Sequence, residues 1–305
     1  MDHGTIVRLP PSALRVHASL LLVSALFGAN YVFTKLVLHD VSASSWALFR
    51  IAAAAIVFVP LALRFGKTRP TKRLVLWLLL AALLGVVLNQ ILFTIGLSHT
   101  TPAHSAVINA CIPTWTLLLS VCLGQERFSA GKVLAVVVAL LGIGTLLHAD
   151  EMVTGGLHLS PEQLSGDLAT WANGVSFSLH LILMRRIGPK IDPWISTAVM
   201  FCAATVMTSA WSLPQMTTAD LQAVVTPPVV WYALYGVLFA TVLTYLISTW
   251  ALQHTRSSQV ALYINVQPLI AVGMGPFFDL PAPDWRFGVA LASVVLGLVL
   301  QTRAR

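Results

Sequence analysis

The amino-acid sequence predicts an all-α integral membrane protein in which ten transmembrane helices form two inverted five-helix repeats around a central cavity. Three observations support this fold class. The mean hydropathy is +0.83, 57% of the residues are hydrophobic, and only 10% are charged, whereas roughly a quarter of the residues in a soluble domain are charged. Ten apolar runs are long enough to cross a bilayer. A weak internal repeat divides these runs into two sets of five.

The ten spans follow one another with short polar links. They cover residues 18–37, 45–64, 74–97, 105–123, 131–148, 167–187, 194–213, 229–252, 258–278 and 285–301. The segment 149–166 contains Gly155, Gly156, Pro161 and three acidic residues, and we interpret it as an exposed linker. The predicted organisation is an N-terminal segment 1–17, a first repeat 18–148, the linker 149–166, a second repeat 167–301 and a C-terminal segment 302–305.

The internal repeat relates residues 99–142 to residues 254–297, an offset of 155 positions. His99, Thr100, Ala106, Pro113, Ala135, Leu141 and Gly142 recur as His254, Thr255, Ala261, Pro268, Ala290, Leu296 and Gly297. Both copies contain a polar link, an apolar span with a proline, a hydrophilic break and a second apolar span. In transporters, interrupted helices at equivalent places of two repeats indicate a binding site near the membrane midplane.

The distribution of charge predicts the orientation. With a cytoplasmic N-terminus, 15 of the 18 Lys and Arg residues lie inside, and seven acidic residues lie in the outside segments. The positive-inside rule therefore places both termini in the cytoplasm, with the chain in the cytoplasmic (inner) membrane. Because each half has five spans, the second half enters the membrane from the opposite side, and the repeats are inverted.

The composition and motifs exclude several classes of function. In a membrane protein, a net charge of +7 reflects cytoplasmic loops, so we expect no nucleic-acid partner. Three cysteines in apolar spans give no metal or disulfide pattern. No nucleophile motif, phosphate loop or pair of intramembrane carboxylates indicates an enzyme, and we expect neither a cofactor nor a metal. A channel would usually show rings of charge or a filter sequence.

Several motifs resemble the EamA branch of the drug/metabolite transporter superfamily. The first span contains Phe27-Gly28-Ala29-Asn30 followed by Lys35, and Gly124-Gln125-Glu126 precedes Gly142. Gly166-Asp167-Leu168 through Arg185-Arg186 resembles the start of a second copy. The chain departs from the family pattern at Phe27, at Asp279-Leu280-Pro281 and at His180, where a tryptophan, an acidic residue and a tyrosine are usual. The resemblance implies a cavity lined by spans 1, 3, 4, 6, 8 and 9, and transport, usually export, of amino acids or other small metabolites.

Polar side chains inside the spans should face the cavity rather than lipid. The candidate substrate-binding residues are Asn30, Tyr31, Asn89, Gln90, Phe93, Asn109, Trp171, Phe177, His180, Tyr245, Tyr263, Asn265 and Gln267. Each has a structural alternative, since such groups also hydrogen-bond neighbouring helices or pack as ordinary rings. By the same reasoning, spans two, five, seven and ten form the outer scaffold.

Two prolines and two cations complete the candidates. Pro113 and Pro268 each remove a backbone donor, so kinks are expected in spans four and nine, with carbonyls free for a substrate, water or a neighbour. Lys35 and Arg50 either reach the membrane interface by snorkelling or attract an anionic group.

These features predict a secondary transporter that moves a small metabolite by alternating access, with a zwitterionic amino acid or similar compound as substrate and export as the favoured direction. The alternative is a nucleotide-sugar or other anionic-metabolite exchanger. The expected partners are the small-molecule substrate and the lipid bilayer, and monomer and homodimer both stay open.

Overall fold

The computed structural model describes residues 12–99, 105, 108–146, 160–274, 277 and 284–303, and within these residues the regular structure is entirely helical. The helices are α1 (Ala13–Asp40), α2 (Ala43–Phe65), α3 (Lys72–His99), α4 (Ile108–Cys122), α5 (Ala130–Leu146), α6 (Pro161–Ile187), α7 (Pro193–Ser212), α8 (Thr218–Val225), α9 (Val229–His254), α10 (257–273) and α11 (Trp285–Arg303). Residues 1–11 of the predicted N-terminal segment and 149–159 of the predicted linker lie outside the described part.

Ten of these helices match the ten predicted spans in order. In the described part of the chain, six of them are long and apolar enough to cross a membrane, namely α1, α2, α3, α7 with the turn that follows it, α9 and α11. Helices α4 and α5 are shorter and apolar. The extra helix, α8, has eight residues and lies between spans seven and eight, where the sequence predicted only a link.

Contacts at the helix ends show that α2 and α7, which pack against each other, run in opposite directions. The face where α1 begins is called the N-terminal face here. On this face the Lys67 backbone N–H donates to the Asp192 carboxylate at 2.8 Å, which joins the end of α2 to the start of α7. On the opposite face the Ser42 N–H donates to Asp220 at 2.7 Å, which joins the start of α2 to α8.

The helix packing follows the two-fold relation between the repeats. Helix α5 packs against α11, and α2 packs against α7, so equivalent helices of the two halves pair with each other. Helix α1 packs against α9 and α10, just as α6 packs against α3 and α4. The two halves are therefore interleaved rather than separate lobes.

The repeated small residues lie where α5 and α11 approach each other. A Cβ on Gly142 would lie 3.3 Å from Ala290 Cα, and a Cβ on Gly297 would lie 2.8 Å from the Ala135 carbonyl oxygen. Small residues allow helices in a membrane to pack closely. The recurrence of these four positions thus corresponds to one symmetrical helix contact.

Each repeat also contains one π-helical turn, which the sequence did not predict. The turns are Leu83–Leu88 in α3 and Leu238–Leu243 in α9, again 155 positions apart. A π-turn leaves the helical hydrogen-bond ladder locally incomplete and often marks a functional site. Backbone carbonyls at these two turns accept hydrogen bonds from side chains of other helices.

The predicted proline kinks coincide with interruptions of α4 and α10. Helix α4 is interrupted at Cys111, two residues before Pro113. Helix α10 tightens into a 3-10 turn at Tyr263–Asn265 before Pro268. At the second interruption the Tyr263 carbonyl gains a side-chain donor, Ser24 Oγ, at 2.7 Å.

Candidate functional site

A cavity of about 80 Å³ lies where helices of both repeats meet. Its lining residues come from the six helices that the resemblance implied and from α2. They are Phe27, Asn30, Tyr31, Arg50, Asn89, Gln90, Phe93, Asn109, Ile112, Asn173, Phe177, Tyr245, Ile264 and Gln267. Amide and hydroxyl groups alternate with aromatic rings, and no acidic side chain lines the cavity among the described residues.

The structure brings most of the predicted site residues to this cavity. Asn30, Tyr31, Asn89, Gln90, Phe93, Asn109, Phe177, Tyr245 and Gln267 line it. Of the two predicted cations, Arg50 lines it and Lys35 is exposed near the end of α1. The amide and ring groups predicted from the polar faces of the spans therefore converge on one cavity.

Four predicted residues lie elsewhere. Trp171 is 46% exposed and packs edge-on against Trp115. Asn265 is fully buried but outside the cavity lining. Tyr263 lines a second, smaller cavity, and His180 lies behind Phe177 with its ring stacked on that side chain. His180 Nδ1 donates to the Ala81 carbonyl at 2.9 Å, because a carbonyl can only accept.

Four lining residues were outside the predicted set, namely Phe27, Asn173, Ile112 and Ile264. Phe27 and Asn173 share helical faces with the predicted residues of spans one and six, so the sequence pattern points to both. Ile112 and Ile264 carry no polar signal. Arg50 lies on α2, which was predicted to belong to the outer scaffold.

A chain of hydrogen bonds crosses one side of the cavity and ends at the π-turn of α3. Asn173 Nδ2 donates to Asn89 Oδ1 at 2.5 Å and to the Asn89 carbonyl at 2.8 Å. The Tyr245 hydroxyl donates to the Gly85 carbonyl at 2.6 Å. This network joins α3, α6 and α9, and so links both repeats.

Arg50 makes the corresponding contact with the other π-turn. Its side chain is 2% exposed. Nε donates to Thr241 Oγ1 at 2.6 Å, and Nη2 donates to the Ala240 carbonyl at 2.8 Å. Ala240 is the repeat equivalent of Gly85, so each π-turn presents the same carbonyl to a side chain from another helix.

Two amide oxygens at the cavity have no hydrogen-bond donor in the part of the chain that the structure describes. Asn109 Nδ2 donates to the Tyr31 hydroxyl at 3.2 Å, while Asn109 Oδ1 is buried and accepts no hydrogen bond from the described residues. Asn30 Oδ1 is likewise buried without a donor. Unsatisfied buried acceptors are costly and rare in proteins, so they indicate positions for a bound donor.

The cavity is closed toward the N-terminal face. A second cavity of about 30 Å³ lies on that side and shares Phe27, Phe177, Ile264 and Gln267 with the first. Beyond it, the Tyr263 hydroxyl and His17 Nδ1 share a hydrogen bond of 2.5 Å. The rings of Phe27 and Phe177 and the hydrogen bond between His17 and Tyr263 therefore separate the cavity from the N-terminal face.

A buried ion pair holds the loop after α4 against the start of α10 on the same face. Lys132 Nζ lies 2.7 Å from Glu126 Oε2, and the two side chains are 2% and 3% exposed. The Ser258 hydroxyl and backbone N–H also donate to Glu126, at 2.6 and 3.1 Å. Burial raises the pKa of Glu126, but hydrogen bonds from Lys132 and Ser258 outweigh it, and the pKa falls below its ordinary value of 4.5.

The opposite face has its own buried carboxylate, Asp220 on α8. Asp220 accepts hydrogen bonds from the backbone of Ser42, from Ser45 Oγ and from Thr217. Burial raises the pKa of Asp220, and these hydrogen bonds together outweigh it and lower the pKa to about 2. The carboxylate stabilises the start of α2 as a helix cap.

Two helical repeats packed around a cavity of amide, hydroxyl and aromatic groups with one arginine define a membrane transporter of the inverted-repeat class. The EamA-like transporter family model matches the chain twice, at residues 15–147 and 164–303. The chain belongs to this family, and it is a multi-pass integral membrane protein that acts as a transporter rather than an enzyme.

Similar proteins include several transporters whose names carry no substrate. The chain is 25% identical over 269 residues to the uncharacterized transporter YyaM of Bacillus subtilis, covering 85% of this chain and 84% of that protein. It is 22% identical to an uncharacterized transporter of Archaeoglobus fulgidus, covering 94% and 97%. The WAT1-related protein At3g30340 of Arabidopsis thaliana is 22% identical, with 80% and 73% covered. A solved crystal structure shares the fold, with a TM-score of 0.70 at 18% identity over 93% of this chain and 96% of that one.

Proposed function

We propose that this protein is a secondary carrier that moves a small zwitterionic metabolite across the cytoplasmic membrane by alternating access. The first candidates are amino acids with an apolar or aromatic side chain, and export is the favoured direction. The observation that carries the proposal is the cavity between the repeats, which combines neutral amides and hydroxyls with aromatic rings. A zwitterion needs separated hydrogen-bond donors and acceptors but little net countercharge. The amides and hydroxyls of this lining supply both donors and acceptors.

The size and charge of the cavity favour a small substrate over a nucleotide sugar. Its volume of about 80 Å³ is well below the roughly 300–1,000 Å³ of sites for drug-sized ligands. Among the described lining residues, Arg50 is the single cation. One guanidinium leaves most of the charge of a diphosphate unpaired in a largely apolar site, which is costly.

Alternating access is supported by the closure of one face of the cavity. His17 and Ser24 on α1 bond to Tyr263 on α10 and close the N-terminal face. Closure of one face at a time is what a two-gate carrier built from inverted repeats requires.

The proposed orientation places the N-terminal face in the cytoplasm, because positive charge concentrates there. Single cysteines at Lys67 and Gly156, introduced after replacement of the three native cysteines, test this orientation with a membrane-impermeant thiol reagent. We expect labelling from opposite sides of the membrane. Labelling from the same side would contradict the inverted arrangement.

The substrate is tested by counterflow in proteoliposomes with a panel of amino acids, amines, purines, vitamins and phosphorylated metabolites. We expect saturable exchange of a zwitterion, weakened several-fold by Asn109→Ala. Trp171→Ala is the control, since that side chain lies off the cavity. Exchange of phosphorylated or dianionic compounds alone would refute the assignment, and uptake that does not saturate and shows no counterflow would indicate a channel.

A further inference from the structure

Arg50 is a buried cation without a carboxylate partner. Its two hydrogen bonds go to a hydroxyl and a backbone carbonyl, both neutral, at the π-turn of α9. Among the described residues no Asp or Glu lies within ion-pair distance of it. Yet it is 2% exposed and lines the central cavity, so snorkelling to the membrane interface does not account for its position.

The contacts with the π-turn leave part of the guanidinium available. A guanidinium carries five N–H groups, and Arg50 uses one on Nε and one on Nη2. Of the remaining three, one on Nη1 and one on Nη2 form the edge that binds a carboxylate through two parallel hydrogen bonds. An ionised group held away from water is costly until a counterion joins it.

The unpartnered acceptors of the same cavity have the complementary chemistry. Asn30 and Asn109 are 5% and 4% exposed, and each has an amide oxygen to which no described residue donates. Asn109 Nδ2 donates to the Tyr31 hydroxyl, and the amide oxygen is the end that is left free in this structure. An ammonium group brings three donors and no acceptor, so it can donate to both of these oxygens.

We propose that Arg50 binds the carboxylate of the substrate, and that Asn30 and Asn109 accept hydrogen bonds from its ammonium group. This assignment rests on the proposed function, a carrier for zwitterions, and it adds the orientation of the substrate and the residue that selects for a free carboxylate. The rival explanation is that Arg50 only holds the π-turn of α9 in place. In that case its loss would affect every substrate alike.

Three related probes separate these explanations: L-phenylalanine, 2-phenylethylamine, which lacks the carboxylate, and 3-phenylpropanoate, which lacks the ammonium group. Each competes against counterflow of the best zwitterion of the panel in proteoliposomes. With Arg50→Gln we expect phenylalanine to bind at least tenfold more weakly, while phenylethylamine changes less than twofold. With Asn109→Leu we expect weaker binding of phenylalanine and phenylethylamine but not of phenylpropanoate.

Matched controls keep the outcome interpretable. Lys35→Gln removes the same charge from an exposed position on α1. It should change the binding of neither phenylalanine nor phenylethylamine. Since the ratio of phenylalanine to phenylethylamine affinity is taken within one variant, it does not depend on how much protein folds. If Arg50→Gln folds poorly, Arg50→Lys keeps the charge without the planar edge, and the preference for phenylalanine should shrink but persist.

Two failures are distinguishable. If the wild-type protein exchanges no zwitterion, the proposed function fails and this assignment fails with it. If it exchanges zwitterions and Arg50→Gln leaves the phenylalanine-to-phenylethylamine ratio unchanged, the carboxylate assignment alone is overturned, and Arg50 acts only on the π-turn.

Discussion

Removing the charge of Glu126 should destabilise the protein strongly, because it breaks a buried pair. In Glu126→Gln, an amide replaces a carboxylate that accepts from Lys132 Nζ at 2.7 Å and from Ser258 Oγ at 2.6 Å. The amide still offers one acceptor oxygen but no negative charge, so the buried ammonium keeps only neutral acceptors such as the Arg127 carbonyl at 3.5 Å. Breaking one partner of a buried ion pair costs roughly 3–5 kcal/mol. We expect about 3 kcal/mol, since the long Lys132 side chain can partly re-expose its charge.

The assay is thermal unfolding of purified protein in detergent, where a loss of this size corresponds to a Tm lower by about 6–12 °C. Lys132→Met and the double variant complete a double-mutant cycle, and the double variant should be less destabilised than the sum of the single variants. Glu162→Gln is the matched control. The Glu162 carboxylate lies 3.2 Å from His99 Nδ1, and the side chains of Glu162 and His99 are 72% and 41% exposed. Its removal should cost less than about 1 kcal/mol.

The effect of Glu126 should also depend on pH. Because its pKa in the folded protein lies below the ordinary value of 4.5, the stabilisation is complete above that value and is lost as the pH falls through the folded pKa. The Tm difference between wild type and Glu126→Gln should therefore be constant from pH 6 to 8 and shrink on acidification. Additive single variants, or a difference that grows on acidification, would refute the ion-pair account.

Two further substitutions probe the packing on which the cavity depends. Gly85→Ala should lower stability by roughly 2–4 kcal/mol, because the new Cβ would lie 2.0 Å from His180 Nδ1 and must displace that ring. Gly288→Ala, where no atom lies within 4 Å of the new Cβ, should be neutral or stabilising by up to about 1 kcal/mol, and equal Tm values for the two variants would contradict the contact. Asp220→Asn should cost about 1–2 kcal/mol at neutral pH. Because the pKa of Asp220 is about 2, its stabilisation is present above its ordinary value of 3.8 and is lost as the pH falls through 2, so the Tm loss measured for this variant should be unchanged down to pH 5.

The sequence predicts the ten spans and most of the cavity because both depend on local polarity. An apolar run of about 20 residues can be recognised as a membrane span from the sequence alone. An amide such as Asn109 within such a run is expected to avoid lipid. These rules required no knowledge of which helices are neighbours. Helix α8 was missed because its eight residues are too short for a search based on spans.

The errors arise where the result depends on a neighbouring helix. His180 lies on the same predicted face as Phe177, but it turns toward α3, since Gly85 has no side chain to exclude its ring. The π-turns are apolar segments without a sequence signature, LLGVVL and LFATVL. Both acceptors of Arg50, the Thr241 hydroxyl and the Ala240 carbonyl, lie in the π-turn of α9, so the position of Arg50 could not be deduced from the sequence of α2.

The central claim is that one cavity serves both sides of the membrane in turn, and access to Gln90 tests it most directly. Gln90 is 5% exposed and lines the cavity, so Gln90→Cys in a background without native cysteines reports access to the site. An impermeant thiol reagent should label it from either side of the membrane, and the transported zwitterion should protect it, whereas Lys35→Cys should be labelled from one side and stay unprotected. Labelling of the cavity cysteine from one side alone under all substrate conditions, or labelling that no transported substrate reduces, would contradict the carrier mechanism.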